Sequence, residues 1–113
     1  MAGTKKTPNK LLGTVDSLEY RLTVQGPMAG TSLSGLEERF TAELGATQAK
    51  SIVLDITGVG RVDSRGIALC IGAFKECSGA GRSFRIEASG DVFRMFKILK
   101  LNRIMDIREG VVA

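Results

Sequence analysis

Residues 51–74, SIVLDITGVGRVDSRGIALCIGAF, hold a complete strand–loop–helix unit. Ile52, Val53 and Leu54 follow one another without a polar interruption, so the spacing predicts a strand over 51–56. An unbroken apolar run suits a strand buried on both faces, at the centre of a parallel sheet. Gly58 and Gly60 then give the backbone freedom to turn sharply at the strand's carboxyl end. At Ile67 the period changes: Ile67, Cys70, Ile71 and Phe74 recur at the spacing of one helix face. Asp63 and Ser64 stand just ahead of that run, and both residue types cap helix N-termini well.

Working outward, residues 10–15 read as a short edge strand and Asp16-Ser17 as a turn. Over 19–25, Tyr20, Leu22 and Val24 alternate with Arg21, Thr23 and Gln25, the pattern of a half-buried strand. Gly26-Pro27 ends it, and Leu33, Leu36, Phe40 and Leu44 mark an amphipathic helix. Ser34 and Glu37 have capping-box spacing for that helix, and Gly45 suits its C-cap. Beyond the central unit, Gly79-Ala80-Gly81 breaks the second helix, and Phe84, Ile86 and Ala88 alternate as a further strand. Ser89-Gly90-Asp91 opens a third helix with Val92, Met95, Phe96 and Leu99 as its buried face, and 104–107 adds a short last strand. Helices and strands alternating after an initial hairpin predict an α/β fold with parallel pairing at the centre of the sheet.

A chain of 113 residues suits one domain with a substantial core. Residues 1–9 are polar and basic and read as a frayed tail. No apolar segment there resembles a signal peptide, and no apolar run is long enough to span a bilayer. Sixteen basic and twelve acidic residues leave a net charge of +4. The basic residues read as scattered and aromatics are few, so nucleic-acid binding is not expected. Cys70 and Cys77 lie two helical turns apart, about 10 Å, beyond disulfide reach. Two reduced, buried thiols fit a cytoplasmic protein.

The residues also narrow the chemistry. There is no histidine, so the commonest general base and metal ligand is absent. None of the glycine-rich stretches has the spacing of a Walker or dinucleotide loop. No metal-ligand spacing occurs, and no cofactor is expected. Asp55 ends a strand, as a phospho-accepting aspartate would. The adjacent acidic pair that would hold magnesium is missing, however, so Asp55 reads as a loop-supporting residue together with Gly58 and Gly60.

Two features remain. Ser64 puts a hydroxyl at a helix N-terminus, where a phosphate is tolerated, though by local pattern it reads as a cap. With Ile67 at the centre of the buried face, Arg65, Leu69, Gly72 and Glu76 fall on the opposite stripe. That stripe reads equally as an isolated surface leucine or as a docking surface, with Leu69 giving apolar contact and Gly72 allowing close approach.

The run LDITGVGRVDSRGIALCIGAF over 54–74 resembles the signature of the STAS domain, the fold of bacterial anti-sigma factor antagonists. The Asp63-Ser64-Arg65-Gly66 turn is similar to that family's Asp-Ser-Ser-Gly-like turn. Downstream, Leu101-Asn102-Arg103-Ile104 resembles its C-terminal pattern. The resemblance implies a single STAS domain over 10–113, with a four- to five-stranded mixed sheet and amphipathic helices. It implies a non-enzymatic, cytoplasmic regulator of transcription that binds an anti-sigma factor of the ATPase-type serine kinase class. Asp63, Ser64, Arg65, Gly66, Leu69, Gly72 and Glu76 would form the partner surface, phosphorylation of Ser64 would release it, and a phosphatase would reset it. Neither nucleic acid nor membrane insertion enters that scheme. The family has a small residue after the phosphoserine where this chain has Arg65, and the net charge suits a partner with an acidic face. The alternative role implied is permanent docking in a lipid-transport ATPase complex or a larger signalling assembly.

Overall fold

The computed structural model describes residues 10–16 and 19–110. The tail read over 1–9, and Ser17 of the expected turn, lie outside them. The chain runs β1 (Lys10–Asp16), β2 (Glu19–Gln25), a 3-10 turn (Gly30–Leu33), α1 (Leu36–Ala46), β3 (Ser51–Asp55) and α2 (Ser64–Gly79). It continues through β4 (Ser83–Ala88), α3 (Gly90–Ile98), a second 3-10 turn (Leu101–Arg103) and β5 (Asp106–Glu109).

The five strands lie in sequence order. β2, β3, β4 and β5 are parallel, so the mixed character expected is confined to β1, which pairs antiparallel with β2 at one edge. Parallel neighbours need a crossover, and α1, α2 and α3 supply the three. Crossovers of one hand in an unbroken strand order place every helix on the same face. The burial pattern agrees: Leu22, Val24, Ile52, Leu54, Phe84, Ile86 and Ala88 form one core with Leu36, Phe40 and Leu44 of α1, and Val92 and Phe96 of α3.

The opposite face carries no helix, which changes the meaning of the apolar run in β3. Val53 is 1% exposed yet lies outside that core, in register with Arg21 on one side and Arg85 on the other. Long arginine stems beside it shield it from water. The guanidinium groups join a lattice across three strands. Arg21 Nη1 lies 2.7 Å from Glu87 Oε1 and 3.1 Å from Asp55 Oδ2. Arg85 lies 2.8 Å from Glu87 Oε2 and 3.3 Å from Glu19 Oε2. Charges beside a buried apolar strand thus replace the second helical layer that the run suggested.

Helix α2 lies on the core through Gly66, Cys70, Ala73 and Cys77, with Ile67, Ile71 and Phe74 half-buried at the flanks. The line of closest approach is made of small residues, and the larger ones brace its sides; the buried stripe is therefore rotated from the one centred on Ile67. Both thiols are free and buried. Burial pushes Cys70 up to about 12 and Cys77 up to about 11, so neither is a ready nucleophile.

Three local expectations are corrected. Ser34 and Glu37 form no capping box: α1 begins after Gly35, which has φ 77°, and no side chain caps it. Its far end runs through Gly45 to Ala46, and Arg82 donates from Nη1 to Leu44 O at 2.7 Å and from Nη2 to Thr47 O. Leu99 is not on the buried face of α3 but 49% exposed.

Hydrogen bonds from Arg21, and secondarily from Arg85, hold the Glu87 carboxyl below its ordinary pKa. Its contribution is therefore present above the unfolded-state value near ~4.3 and is lost as pH falls through the lower folded-state value. Glu87→Gln is expected to reduce stability by about 1–2 kcal/mol at neutral pH. Urea denaturation repeated at about pH 3 should show that gap narrowed. A gap of equal size at both pH values would assign the loss to packing instead of charge.

Candidate functional site

The site lies at the carboxyl edge of the parallel sheet, where β3 passes into α2. Asp55 ends β3 and turns its carboxylate onto the loop: Oδ1 accepts from Thr57 N at 3.0 Å and from Thr57 Oγ1 at 2.7 Å. Its other oxygen takes Arg21. Ser89 Oγ donates to Thr57 O at 2.8 Å, which ties the start of α3 to the same loop. Gly58 and Gly60 contribute differently from expectation. Neither has a positive φ, and a Cβ at Gly60 would meet open space. The turn is held by Asp55 and by buried Val59, not by glycine backbone freedom.

The loop is fastened next to the segment after β2. Met28 N donates to Arg61 O at 2.8 Å and Asp63 N to Met28 O at 3.2 Å, closing a parallel bridge between Met28 and Val62. Asp63 is the N-cap of α2. Its Oδ1 accepts from Arg65 N at 3.0 Å and Gly66 N at 3.1 Å, and its Oδ2 from Gly30 N at 2.8 Å. These N–H groups, Gly30's foremost, hold the Asp63 carboxyl below its ordinary pKa. One side chain thus caps the helix and pins the first 3-10 turn to it.

Ser64 follows as the first residue of α2. Because Asp63 does the capping, the Ser64 hydroxyl is exposed, and it makes no hydrogen bond among the described residues. Gly66 is buried and not part of the outer surface: a Cβ there would lie 2.3 Å from Met28 O and 2.8 Å from Val62 Cγ1. Glycine at this position is a packing requirement that lets α2 begin against the bridge.

Arg65, Leu69, Gly72 and Glu76 share the outer edge of α2. They form one wall of a groove whose other wall is the first 3-10 turn and α1. Its upper part, about 610 Å³, lies between Arg65, Ala68 and Leu69 on one side and Gly30, Thr31, Leu33 and Glu37 on the other. Its lower part continues along Leu69, Gly72 and Glu76 against Phe40 and Thr41. Leu69 is half-buried and central to both parts. The structure therefore gathers Arg65, Leu69, Gly72 and Glu76 along one edge, with Asp63 and Ser64 at the start of the same helix, and sets Asp55, Gly58 and Gly60 in the loop leading to it. Sequence reasoning missed the opposing wall. Residues 30–37 read locally as the cap and first turn of a helix, and the long-range Gly30–Asp63 bond and the shared groove show that they face α2.

Two substitutions separate the roles in this turn. Ser64→Ala should leave stability within about 0.5 kcal/mol of the parent, since no hydrogen bond is lost; a serine cap would cost about 1 kcal/mol. Gly66→Ala should reduce it by about 1–3 kcal/mol, because backbone must move to admit the methyl group. Thermal or chemical denaturation of the two variants in parallel measures both.

The fold has close counterparts among solved structures. An anti-sigma factor antagonist from Mycobacterium paratuberculosis superposes with a TM-score of 0.82 at 16% identity, over 96% of this chain and 92% of that one. The anti-sigma factor antagonist SpoIIAA in its unphosphorylated form gives 0.69 at 12% identity, over 87% of each. A putative anti-sigma factor antagonist from Thermotoga maritima gives 0.72 at 17% identity, over 89% and 87%. At such identities the likeness is one of fold. The sequence itself matches the family model of the STAS domain over residues 14–113, and the chain belongs to the STAS-domain family.

Proposed function

We propose that this chain is a partner-switching regulator of the anti-sigma factor antagonist type. In its unphosphorylated form it binds an anti-sigma factor, a serine kinase of the ATPase type, through the Ser64 turn and the groove beside α2. Sequestering that kinase frees the kinase's other client. Transfer of phosphate to Ser64 Oγ releases the kinase, and a phosphatase restores the binding form. The role is one of binding, in the cytoplasm, with the kinase and not this chain performing the chemistry.

The observation that carries this reading is the hydroxyl of Ser64, exposed at the start of α2 beside the groove-lining Arg65 and without a hydrogen bond among the described residues. A hydroxyl engaged in capping would be withdrawn from a kinase; here Asp63 has taken that task. Phosphate at this point adds roughly −1.5 to −2 charges. The helix N–H groups at Arg65 and Gly66 are already bonded to Asp63, so they do not serve as the phosphate's ligands. The dianion instead stands beside the Asp63 carboxylate, with Arg61 and Arg65 as the adjacent cations in the chain. Such a charge acts on whatever is docked there.

The second reading, permanent docking as a subunit of a lipid-transport ATPase complex or signalling assembly, is favoured by Arg65. The guanidinium-bearing side chain follows the serine directly and lines the groove, where a small residue would leave room for a kinase.

Intact-mass and phosphosite mapping of the protein from its native cells, beside a Ser64→Ala variant, tests the switch. One phosphate on Ser64, absent from the variant, is the expected result; no phosphate under any growth condition would leave permanent docking. A second variant probes the groove itself. Gly72 is exposed within α2, and a Cβ there would meet open space, so Gly72→Ala should raise stability by roughly 0.5–1 kcal/mol. The same variant should weaken capture of the partner, because the added methyl group stands in the docking edge. Equal or tighter capture would place the partner elsewhere.

A further inference from the structure

We infer that the corner joining α3 to β5 is a docking surface for an anionic phospholipid bilayer. The net charge of the chain is not spread evenly. Residues 94–104 contain four basic residues, Arg94, Lys97, Lys100 and Arg103, and no acidic one, leaving twelve basic and twelve acidic residues in the rest of the chain; Arg94 is paired with Asp91 one turn earlier in α3, so Lys97, Lys100 and Arg103 are the cations the corner presents without an ion pair among the described residues. The whole excess of +4 therefore equals the charge of this one stretch. The large apolar side chains that stand most open to water among the described residues fall in the same stretch: Ile98 is 76% exposed, Ile104 57% and Leu99 49%.

The corner is built on a firm base. Phe96, Leu101 and Met105 are buried in the core on either side of it, and Leu99 N, Lys100 N, Arg103 N and Ile104 N all find backbone carbonyls. Lys100 has φ 61°, and it is the one non-glycine residue with positive φ among the described residues. Glycine or asparagine adopts that conformation more readily. A cation thus occupies a position that local backbone geometry would give to another residue type.

Aliphatic tips set between cations match the outer layer of an anionic bilayer. The apolar groups enter the headgroup boundary, and the cations meet lipid phosphates. No shape-matched cleft is needed, and no helix among the described residues is long and apolar enough to cross a membrane. A second copy of the chain is a poor occupant, since it would set Lys97, Lys100 and Arg103 against the same three cations. Topology keeps the surface clear of the Ser64 turn. α3 starts at the carboxyl edge of the sheet and returns to the amino edge to enter β5, so the corner sits at the opposite end from the start of α2. Lipid docking and partner binding at the groove need not compete.

Vesicle flotation with the full chain tests this, using neutral phosphatidylcholine and phosphatidylcholine mixed with phosphatidylglycerol. Binding to the anionic vesicles alone, released by high salt, is expected. Lys100→Asn combined with Arg103→Gln should weaken it by about ten-fold or more, and Ile98→Ser combined with Ile104→Ser should weaken it at unchanged charge. All four positions are exposed, and an unchanged melting curve confirms the fold. No anionic-vesicle binding, or binding indifferent to both double variants, overturns the proposal. Concentration-dependent dimerisation abolished by Ile98→Ser would assign the corner to a second copy instead. Salt-sensitive binding to polyglutamate, as tight as to vesicles and unaffected by the serine variants, would assign it to an acidic protein.

Discussion

The Asp63 carboxylate is the contact on which the site depends. It accepts hydrogen bonds from N–H groups on both sides of the groove, Gly30 on one and Arg65 and Gly66 on the other. Those N–H groups belong to backbone that has no strand or helix partner of its own, so each would otherwise have to be met by water. Gathering them on one carboxylate fixes where α2 begins and how far the first 3-10 turn stands from it. The Met28–Val62 bridge and the absence of a side chain at Gly66 set the same distance from beneath. Ser64 owes its exposure to this arrangement: it is placed by its neighbour and takes no part in holding the turn.

The sheet explains why the site is at this edge. With strands in sequence order and every helix on one face, the loops that leave the carboxyl ends of the parallel strands all open on the same side. Asp55 connects the two faces there. One of its oxygens steadies the loop through Thr57, and the other joins the lattice of Arg21 and Glu87 on the helix-free face. The lattice in turn covers Val53, which lets β3 carry three consecutive apolar residues without a second layer. The loop bearing Ser64 therefore hangs from a strand that is secured on one side by core packing and on the other by ion pairs.

Elements with a strong period were legible in the sequence. Alternation in β2 and β4, the apolar run of β3 and the 3.6-residue recurrence in α2 place these elements to within a residue or so. What escaped was set by contacts distant in the chain. The helix phase of α2 is decided by how closely Gly66 and Ala73 can approach the core, and large side chains dominate a periodicity count even when they lie at the flank. The exposure of Leu99 follows from the turn at Lys100, whose positive φ no propensity would assign to lysine. Of the site, the outer residues Arg65, Leu69, Gly72 and Glu76 followed from helix geometry, but the wall facing them did not. Its residues come from a stretch whose local signals describe only a cap, and they were joined to α2 by a bond spanning 33 positions.

Charge is divided between the two ends of the molecule in a way that separates their tasks. The groove holds Glu37 and Glu76 beside Arg65, so it presents charge of both signs. The corner at the other end presents Lys97, Lys100 and Arg103, with Arg94 paired to Asp91. The groove's mixed charge gives no preference for the acidic partner face that the net charge alone suggests. On the proposed reading, contact there would be made by Leu69 and the space over Gly72, with the charged residues at its margins setting register. A phosphate on Ser64 would change that balance at one point, beside a carboxylate whose two oxygens both already accept hydrogen bonds. Because the Arg65 and Gly66 N–H groups are taken by Asp63, the added charge would leave the domain's internal bonds as they are. Its effect would fall on the docked surface, which is the condition a reversible switch of partners requires.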